Sequence, residues 1–99
     1  MIEDALIFEV LAVVGEIPAS KAATYGQIAK LIGREKNARL VGKILSGSQQ
    51  YGDYPCHRVV NHAGRTAPGW AEQPELLRRE NVPFKKNGFV DLLACQWEL

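Results

Sequence analysis

The sequence predicts one small α/β domain organised around a pair of short helices, and three observations lead to this prediction. The 99 residues suffice for a single domain, spanning 1–99, with one modest core. Apolar residues recur at helical spacing in several short segments, whereas Val59 and Val60 form a β-branched pair that favours a strand. Two of the helical segments are joined by a tight connection that contains glycine, which is typical of a helix-turn-helix.

The composition limits the class of protein. Hydrophobic residues make up 46% of the chain and charged residues 23%, as in an ordinary soluble globular domain. No apolar run is long enough for a transmembrane helix, and the acidic start from Met1 to Asp4 argues against a signal peptide. A cytoplasmic location is therefore expected, in which Cys56 and Cys95 would stay reduced rather than form a disulfide.

The first predicted helix covers residues 2–16 and supports the core without chemistry of its own. Its apolar side chains recur near helical spacing, and acidic residues lie at its positive N-terminal end. Gly15 and Pro18 are expected to end it. The residues expected to form its apolar face are Ala5, Leu6, Phe8, Val10, Leu11 and Val14.

The next predicted helix begins after Thr24. Gln27 follows Thr24 by three residues, so the pair matches a capping box. Gly33 is placed to end this helix in a left-handed conformation. A further helix is predicted from about residue 37 to residue 45, with Gly47 as its end.

Charge bears on what this helical pair could bind. Arg39 and Lys43 are four residues apart in the second helix, so their side chains can project together. Residues 21–65 carry eight basic and two acidic side chains, a net +6, and the remainder carries four basic and nine acidic ones, a net −5. A basic segment at a helix-turn-helix favours DNA binding, although a solvated surface of mixed charge is the alternative and most helical hairpins bind nothing.

A thiol, an imidazole and a guanidinium are adjacent in the segment Pro55-Cys56-His57-Arg58, which follows a polar loop over residues 48–54. A cysteine reacts as its thiolate, and a nearby imidazole or guanidinium lowers the thiol pKa. Adjacent side chains on a straight strand point to opposite faces, so the backbone must turn, or a water must bridge, if His57 is to serve Cys56. The alternative is a buried cysteine that acts as a small hydrophobe.

The remaining segments of the chain are predicted to support the segment around Cys56 structurally. A surface turn is predicted at residues 61–65 and a loop at 66–71, in which Trp70 is either a lid over a pocket or a local packing residue. A helix is predicted from Pro74 to Asn81, with the proline in its first position. Asn87-Gly88 predicts a hairpin turn. The apolar side chains expected to pack from this region against the first helix are Phe84, Phe89, Val90, Leu92, Leu93 and Trp97.

The string Pro55-Cys56-His57-Arg58-Val59-Val60 resembles the acceptor motif of the O6-alkylguanine-DNA alkyltransferases, also called methylated-DNA–protein-cysteine methyltransferases. Thr24-Tyr25-Gly26-Gln27-Ile28-Ala29 and Ala38-Arg39-Leu40-Val41-Gly42 are similar to the helix-turn-helix of that family. The resemblance covers most of residues 8–82. It implies a monomeric winged helix-turn-helix domain that needs no cofactor and binds double-stranded DNA containing O6-alkylguanine through the minor groove.

The resemblance also implies a role for individual residues. Cys56 would attack the alkyl carbon on guanine O6 and keep the group as a thioether, with one lesion repaired per protein. His57 would activate the thiol through a water, and Glu80 would orient the histidine. Arg58 would have a structural role, binding nearby carbonyls or carboxylates.

On the DNA side, the resemblance makes Arg39 the finger that enters the duplex and fills the space left by an extruded nucleotide. This agrees with the general need to take a base out of the stack before reacting with it, and with the ability of a guanidinium to stack. Tyr25 would press on the flanking phosphate. The lesion pocket would be lined by Tyr25, Val59 and Trp70, and the further DNA contacts would come from Thr24, Lys36 and Lys43.

The chain also departs from the family pattern. Ser48 stands where the family usually has asparagine, and the loop over residues 66–71 is shorter than usual. By this resemblance, the N-terminal domain of many alkyltransferases is expected to be absent, and the length and the ending look more like the alkyltransferase-like proteins. Those proteins bind alkylated DNA without repairing it and signal to other repair machinery, such as nucleotide-excision repair. They usually carry tryptophan or another non-nucleophile at the position of Cys56.

Three functions therefore stand side by side: irreversible alkyl transfer to Cys56, a non-enzymatic lesion sensor, and a plain DNA-binding transcription module. The third does not explain the motif around Cys56. A metal site is not expected, because Cys56, His57, His62 and Cys95 lack the paired spacing of metal ligands.

Overall fold

A computed structural model describes residues 2–98 of the chain; Met1 and Leu99, the ends of the predicted domain, lie outside the described residues. The helices are α1 (Asp4–Gly15), α2 (Tyr25–Leu31), α3 (Ala38–Ser46), α4 (Glu72–Arg79) and α5 (Leu92–Cys95). The strands are β1 (Ala23–Thr24) and β2 (Val59–Val60), and single 3-10 turns lie at Ser48–Tyr51 and Cys56–Arg58. Within residues 2–98, no helix has the length and apolar character needed to cross a membrane.

The helix α1 packs on the core through one narrow stripe. Its buried residues are Ile7, Val10, Leu11 and Val14, which follow the i, i+3, i+4, i+7 spacing of a single helical face. The predicted apolar face was therefore partly wrong, because it contained Phe8 and lacked Ile7. The Phe8 side chain is 46% exposed, since it lies one residue round the helix from the stripe, and its ring packs edge-on against Tyr51.

The ends of α2 were predicted correctly. The backbone N–H of Gln27 donates to Thr24 Oγ1 at 3.0 Å, and the Gln27 side chain accepts from the Thr24 N–H, which completes the capping box. Gly33 has a φ of 77°, and the Arg34 N–H donates to the Ala29 carbonyl at 2.8 Å. These features form the glycine-dependent C-terminal motif, so α2 stops where the chain must turn towards α3.

The helices α2 and α3 form the predicted helical pair. Ile28 and Ala29 of α2 and Val41 and Ile44 of α3 are buried in one core cluster that also contains the α1 stripe and Trp97. This packing leaves the opposite face of α3 to solvent.

The two strands form a short parallel pair. Ala23 pairs with Val59 and Thr24 with Val60, so the start of α2 is fixed beside the segment that follows Cys56. Since a parallel pair needs a crossover connection, the whole of α2 and α3 lies between these strands. The strand predicted at residues 59–60 is confirmed.

The helix α4 begins earlier than the sequence predicted. It starts at Glu72, so Pro74 occupies its third position and not its first. A proline is tolerated there because the first N–H groups of a helix have no intrahelical acceptor. The earlier start places Gln73 inside the protein, where its side chain has no exposed surface.

The C-terminal segment makes the predicted turn but packs elsewhere than expected. Gly88 has a φ of 88°, and Phe84 and Val90 form a single antiparallel bridge across the turn. Trp97 joins the α1 cluster, whereas Val90 belongs to a second cluster and Leu93 is fully exposed. The second cluster consists of Ala22, Val60, Leu77, Val82, Val90 and Cys95, with Phe84 and Leu92 packed against it.

One backbone contact explains this second cluster. Gly64, in the turn after β2, has a φ of 87° and accepts a hydrogen bond from the Val90 N–H at 2.8 Å. A β-carbon at Gly64 would lie 2.3 Å from the Val90 carbonyl oxygen. The C-terminal turn is therefore held against the 61–65 turn and away from α1.

Candidate functional site

A cavity of about 920 Å³ opens beside Cys56. Its wall comes from the C-terminal end of α3, the polar loop, the turn that contains Cys56 and the loop over residues 66–71. The lining residues used below are Ser48, Tyr54, Cys56, His57 and Trp70. Trp70 is half-buried against the main core, as a local packing residue would be, and it also lines the cavity, where its role as a lid stays a prediction.

The backbone turns at Cys56, as a shared role for Cys56 and His57 requires. The Cys56 N–H donates to the Tyr54 carbonyl at 2.8 Å, and the Arg58 N–H donates to the Pro55 carbonyl at 3.0 Å. Pro55 restricts its own φ, and the β-branched Val59 then returns the chain to an extended conformation. The thiol therefore lies on a tight turn between a proline and a paired strand.

The environment of the thiol differs from the prediction. Cys56 is 9% exposed, and burial raises its pKa, while a hydrogen bond with Ser48 acts in the opposite direction. The sulfur lies 3.2 Å from Ser48 Oγ. His57 and Arg58 were expected to lower the thiol pKa, but both direct their side chains to Glu80. That expectation is wrong because burial cannot be read from a motif.

Glu80 binds both basic side chains of the motif. His57 Nε2 lies 2.9 Å from Glu80 Oε2, and Arg58 donates from Nε to Oε1 and from Nη2 to Oε2 at 2.9 and 2.7 Å. The hydrogen bond from Arg58, and then that with His57, lowers the pKa of Glu80 against the opposing effect of its burial. Arg58 also donates to the Ile17 carbonyl at 2.7 Å, which fits its expected structural role.

Gln73 is a site residue that the sequence analysis missed. Its amide nitrogen donates to the carbonyls of His57 at 3.0 Å and Val59 at 2.9 Å, and its amide oxygen accepts from the Ala67 N–H at 2.7 Å. It thus joins the Cys56 turn, β2 and the 66–71 loop from a fully buried position. No local signal marks it, because all three partners are distant from the first turn of α4 in the chain.

The residues expected to contact DNA lie on or next to the helical pair. Arg39 in the first turn of α3, Lys43 one turn later and Lys36 before the helix are all exposed. The side-chain oxygen of Thr24 is occupied by its cap hydrogen bond. Three of the eight basic residues of segment 21–65 are therefore exposed on or beside α3.

Tyr25 begins α2 and packs against α3, and it is not among the residues that line the cavity. Its half-buried ring packs over Gly42 of α3, where an added β-carbon would lie 3.8 Å from it. Burial and then the negative charge of an ionised Cys56 raise the pKa of Tyr25. Val59 is 1% exposed and belongs to the core, because its side chain points inward from β2. The structure brings neither Tyr25 nor Val59 to the cavity wall, contrary to the prediction.

Both cysteines have free thiols. Among residues 2–98, no group of three His, Cys, Asp or Glu side chains is arranged to hold a metal ion.

Comparisons with known proteins agree with this arrangement. A DNA base-flipping protein of Escherichia coli (strain K12) is 36% identical over 98 residues, covering 96% of this chain and 76% of that protein. Alkyltransferase-like protein 1 of Schizosaccharomyces pombe is 33% identical over 84 residues, covering 80% of this chain and 78% of that protein. The crystal structure of S. pombe Atl1 in complex with damaged DNA containing O6-carboxymethylguanine matches with a TM-score of 0.85 at 30% identity, covering 100% of both chains.

The family comparison matches the same region of the chain in which the sequence motifs lie. The 6-O-methylguanine DNA methyltransferase, DNA-binding-domain family matches residues 7–82, which include the helical pair, the Cys56 turn and Glu80. The chain therefore belongs to the family of 6-O-methylguanine DNA methyltransferase DNA-binding domains.

Proposed function

We propose that this protein binds duplex DNA through the minor groove, extrudes an O6-alkylguanine, and transfers the alkyl group to Cys56. The observation that carries the proposal is the position of the Cys56 thiol on the wall of the cavity, with His57, which contacts Glu80, on the same wall. A relative with the same fold is bound to damaged DNA containing O6-carboxymethylguanine, which supports this class of ligand.

Base extrusion follows from the geometry. The reacting carbon of an O6-alkylguanine lies inside a stacked duplex, so a thiol in a cavity can reach it only after the nucleotide has left the stack. The cavity, at about 920 Å³, is within the range of small-molecule sites. The exposed guanidinium of Arg39 would then fill the gap in the duplex by stacking between the neighbouring bases.

The transfer step balances without a cofactor. The Cys56 thiol loses its proton, and the sulfur forms a bond to the alkyl carbon as the bond from that carbon to guanine O6 breaks. The electron pair of the broken bond stays on the guanine, which takes up one proton. His57, held by Glu80 through Nε2, would accept the thiol proton by way of a water. The products are an alkylated Cys56 and an unmodified guanine.

A second candidate function is a lesion sensor that binds the extruded base without reacting and recruits other repair proteins. Two observations favour it. Burial raises the pKa of Cys56, which disfavours the nucleophilic thiolate. Two relatives are named as a base-flipping protein and an alkyltransferase-like protein.

Incubation with a duplex that contains one O6-methylguanine, followed by intact mass spectrometry, distinguishes the two functions. Transfer adds the mass of one methylene group at Cys56 and leaves an unmodified guanine in the DNA. A lesion sensor binds the duplex tightly, and its mass does not change.

The Cys56→Ala variant is the first control. We expect it to lose transfer and keep lesion binding, because Tyr25, Arg39 and the cavity are unchanged. Cys95→Ala is the matched control, since that thiol belongs to the second core cluster, and this variant should transfer normally. Transfer by Cys56→Ala would refute the assignment of the acceptor.

A further inference from the structure

Ser48 has two hydrogen-bond partners and one proton to give. It is 5% exposed and opens the 3-10 turn that follows α3. Its Oγ lies 2.9 Å from the Leu45 carbonyl oxygen and 3.2 Å from Cys56 Sγ. Among residues 2–98, Ser48 is the only side chain that hydrogen-bonds the sulfur.

The direction of these two bonds depends on the state of the sulfur. A serine hydroxyl donates one hydrogen bond and accepts others, and a carbonyl oxygen can only accept. While Cys56 is a thiol, Ser48 donates to Leu45 and accepts the S–H. A thiolate has no proton to give, so a bond between the two side chains then requires Ser48 to turn its proton to the sulfur.

We propose that Ser48 is a catalytic residue whose hydroxyl acts as a one-proton switch, donating to the Leu45 carbonyl while Cys56 is a thiol and to the Cys56 sulfur once it is a thiolate. This inference rests on the proposed transfer to Cys56. Ser48 keeps its own proton throughout, and the thiol proton leaves by way of His57 and solvent. After the alkyl group has been transferred, the thioether is a weak acceptor and the hydroxyl returns to Leu45.

The other ionisable groups around the sulfur do not replace this donor. The Tyr25 phenol makes no hydrogen bond to the sulfur, although the negative charge of an ionised Cys56 helps to raise its pKa. The side chains of His57, Arg58 and Glu80 bind one another and make no direct hydrogen bond to the sulfur. A hydrogen bond to a charged group contributes roughly 1 kcal/mol more than one to a neutral group, so losing the donor corresponds to about one pH unit in thiol ionisation.

Alkylation by iodoacetamide tests the switch without DNA. The sulfur displaces iodide from this reagent, and the rate at Cys56 follows the thiolate fraction, which peptide mass spectrometry measures across a pH series. Ser48→Thr and Ser48→Val are a matched pair, because their side chains have nearly the same shape and differ in the hydroxyl. We expect Ser48→Thr to behave as the wild type, and Ser48→Val to shift the pH profile of alkylation about one unit to higher pH and to slow alkylation at neutral pH about tenfold.

Two references separate this effect from general loosening of the structure. Ser46→Ala removes an exposed hydroxyl that donates to the Lys43 carbonyl in the same way, and its profile should match the wild type. Cys95 in each sample reports accessibility elsewhere in the same molecule, and its rate should not change with Ser48. Thermal unfolding confirms that each variant is folded.

Coincident profiles for Ser48→Thr and Ser48→Val would overturn the switch, as would a Cys95 rate that rises and falls with that of Cys56. The result is separate from the test of the proposed function. If methylated duplex leaves the protein mass unchanged while the pH profile of Cys56 alkylation is shifted in Ser48→Val, the hydrogen-bond switch stands and transfer fails. If transfer occurs and the two profiles coincide, transfer stands and the switch fails.

Discussion

At the scale of single residues, the Glu80 carboxylate decides how the motif is arranged. It takes two hydrogen bonds from Arg58 and one contact from His57, so both basic side chains turn to it and leave Ser48 as the sulfur's partner. The guanidinium in turn holds the Ile17 carbonyl, beyond the end of α1. Removing the negative charge of Glu80 should therefore disturb the position of His57 and also the contacts that join Glu80, Arg58 and the Ile17 carbonyl.

We expect Glu80→Gln to lower the free energy of unfolding by about 2 kcal/mol at neutral pH, because it leaves Arg58 and His57 without their anionic partner. The folded-state pKa of Glu80 is lowered, so its contribution is complete above the unfolded pKa and is lost as the pH falls through the folded value. The difference between wild type and variant should shrink below about pH 5, which urea unfolding at several pH values would measure.

Glu75→Gln is the matched control for this experiment. Glu75 lies exposed in α4, the helix that Glu80 directly follows, so its removal should change stability little at any pH in this series. If the difference in free energy of unfolding between wild type and Glu80→Gln stayed constant at acidic pH, the pairing of Glu80 with Arg58 and His57 would be contradicted.

The residues of the site differ in how far the sequence could predict them. Cys56, His57 and Glu80 were identified because the motif and its spacing could be compared with a known pattern, and the structure brings the histidine and the carboxylate together. The contacts of Ser48 and Gln73 were not foreseen, because they depend on how the Cys56 turn packs against the end of α3 and the start of α4. The thiol pKa was predicted in the wrong direction, since burial depends on the packing of the whole domain.

At the scale of the elements, local signals gave the helix ends and long-range packing determined the rest. The capping box and Gly33 bound α2 where they were expected to, because caps act through hydrogen bonds within a few residues. The helix α4 starts two residues before Pro74, since the buried amide of Gln73 binds backbone groups of three other segments. Similarly, Val90 belongs to the second cluster because its N–H donates a hydrogen bond to the Gly64 carbonyl.

We expect Gln73→Leu to lower the free energy of unfolding by about 3 kcal/mol, because two carbonyls and one N–H would be buried without partners. Gln73→Glu separates the two kinds of bond. It keeps the acceptor for the Ala67 N–H and loses both donors, so its carboxylate would face the carbonyls of His57 and Val59. Urea unfolding measures stability, and the rate of proteolytic cleavage within residues 66–71 reports whether the loop has come loose.

Gln50→Leu serves as the control, since Gln50 is exposed in the polar loop. Unchanged stability and unchanged cleavage for Gln73→Leu would mean that Gln73 does not hold this loop to the Cys56 turn.

At the scale of the whole molecule, the parallel strand pair joins the helical pair to the Cys56 turn. β1 leads directly into α2 at Tyr25, and β2 follows the Cys56 turn directly, so the register of Ala23 with Val59 sets how the helical pair meets the cavity. Cys56 also belongs to the core cluster that contains the buried faces of α2 and α3. The helical pair and the Cys56 turn are thus packed as one unit, which supports the proposal that the site receives a base extruded from DNA bound at the helical pair.

The charge distribution of the molecule gives the last prediction. Segment 21–65 has a net charge of +6 against −5 for the remainder, and its exposed charges include Arg39, Lys43 and Lys36. We expect Arg39→Ala to reduce the preference for an O6-methylguanine duplex over the matched undamaged duplex about tenfold, because a stacked guanidinium stabilises only the DNA with an extruded nucleotide. Lys43→Ala should instead weaken binding to both duplexes equally and reduce the slope of log affinity against log salt concentration by about one.

Fluorescence anisotropy with both duplexes over a salt series measures the two effects, and the Cys56→Ala background prevents transfer from distorting the equilibrium. Lys86→Ala is the control, since Lys86 is exposed at the C-terminal turn, outside the basic segment, and its loss should alter neither preference nor slope. If Arg39→Ala lost the same amount of affinity for the damaged and the undamaged duplex, Arg39 would be a phosphate contact like Lys43. The finger role would then be excluded, because a residue that acts only after extrusion cannot weaken the binding of a duplex from which no base is extruded.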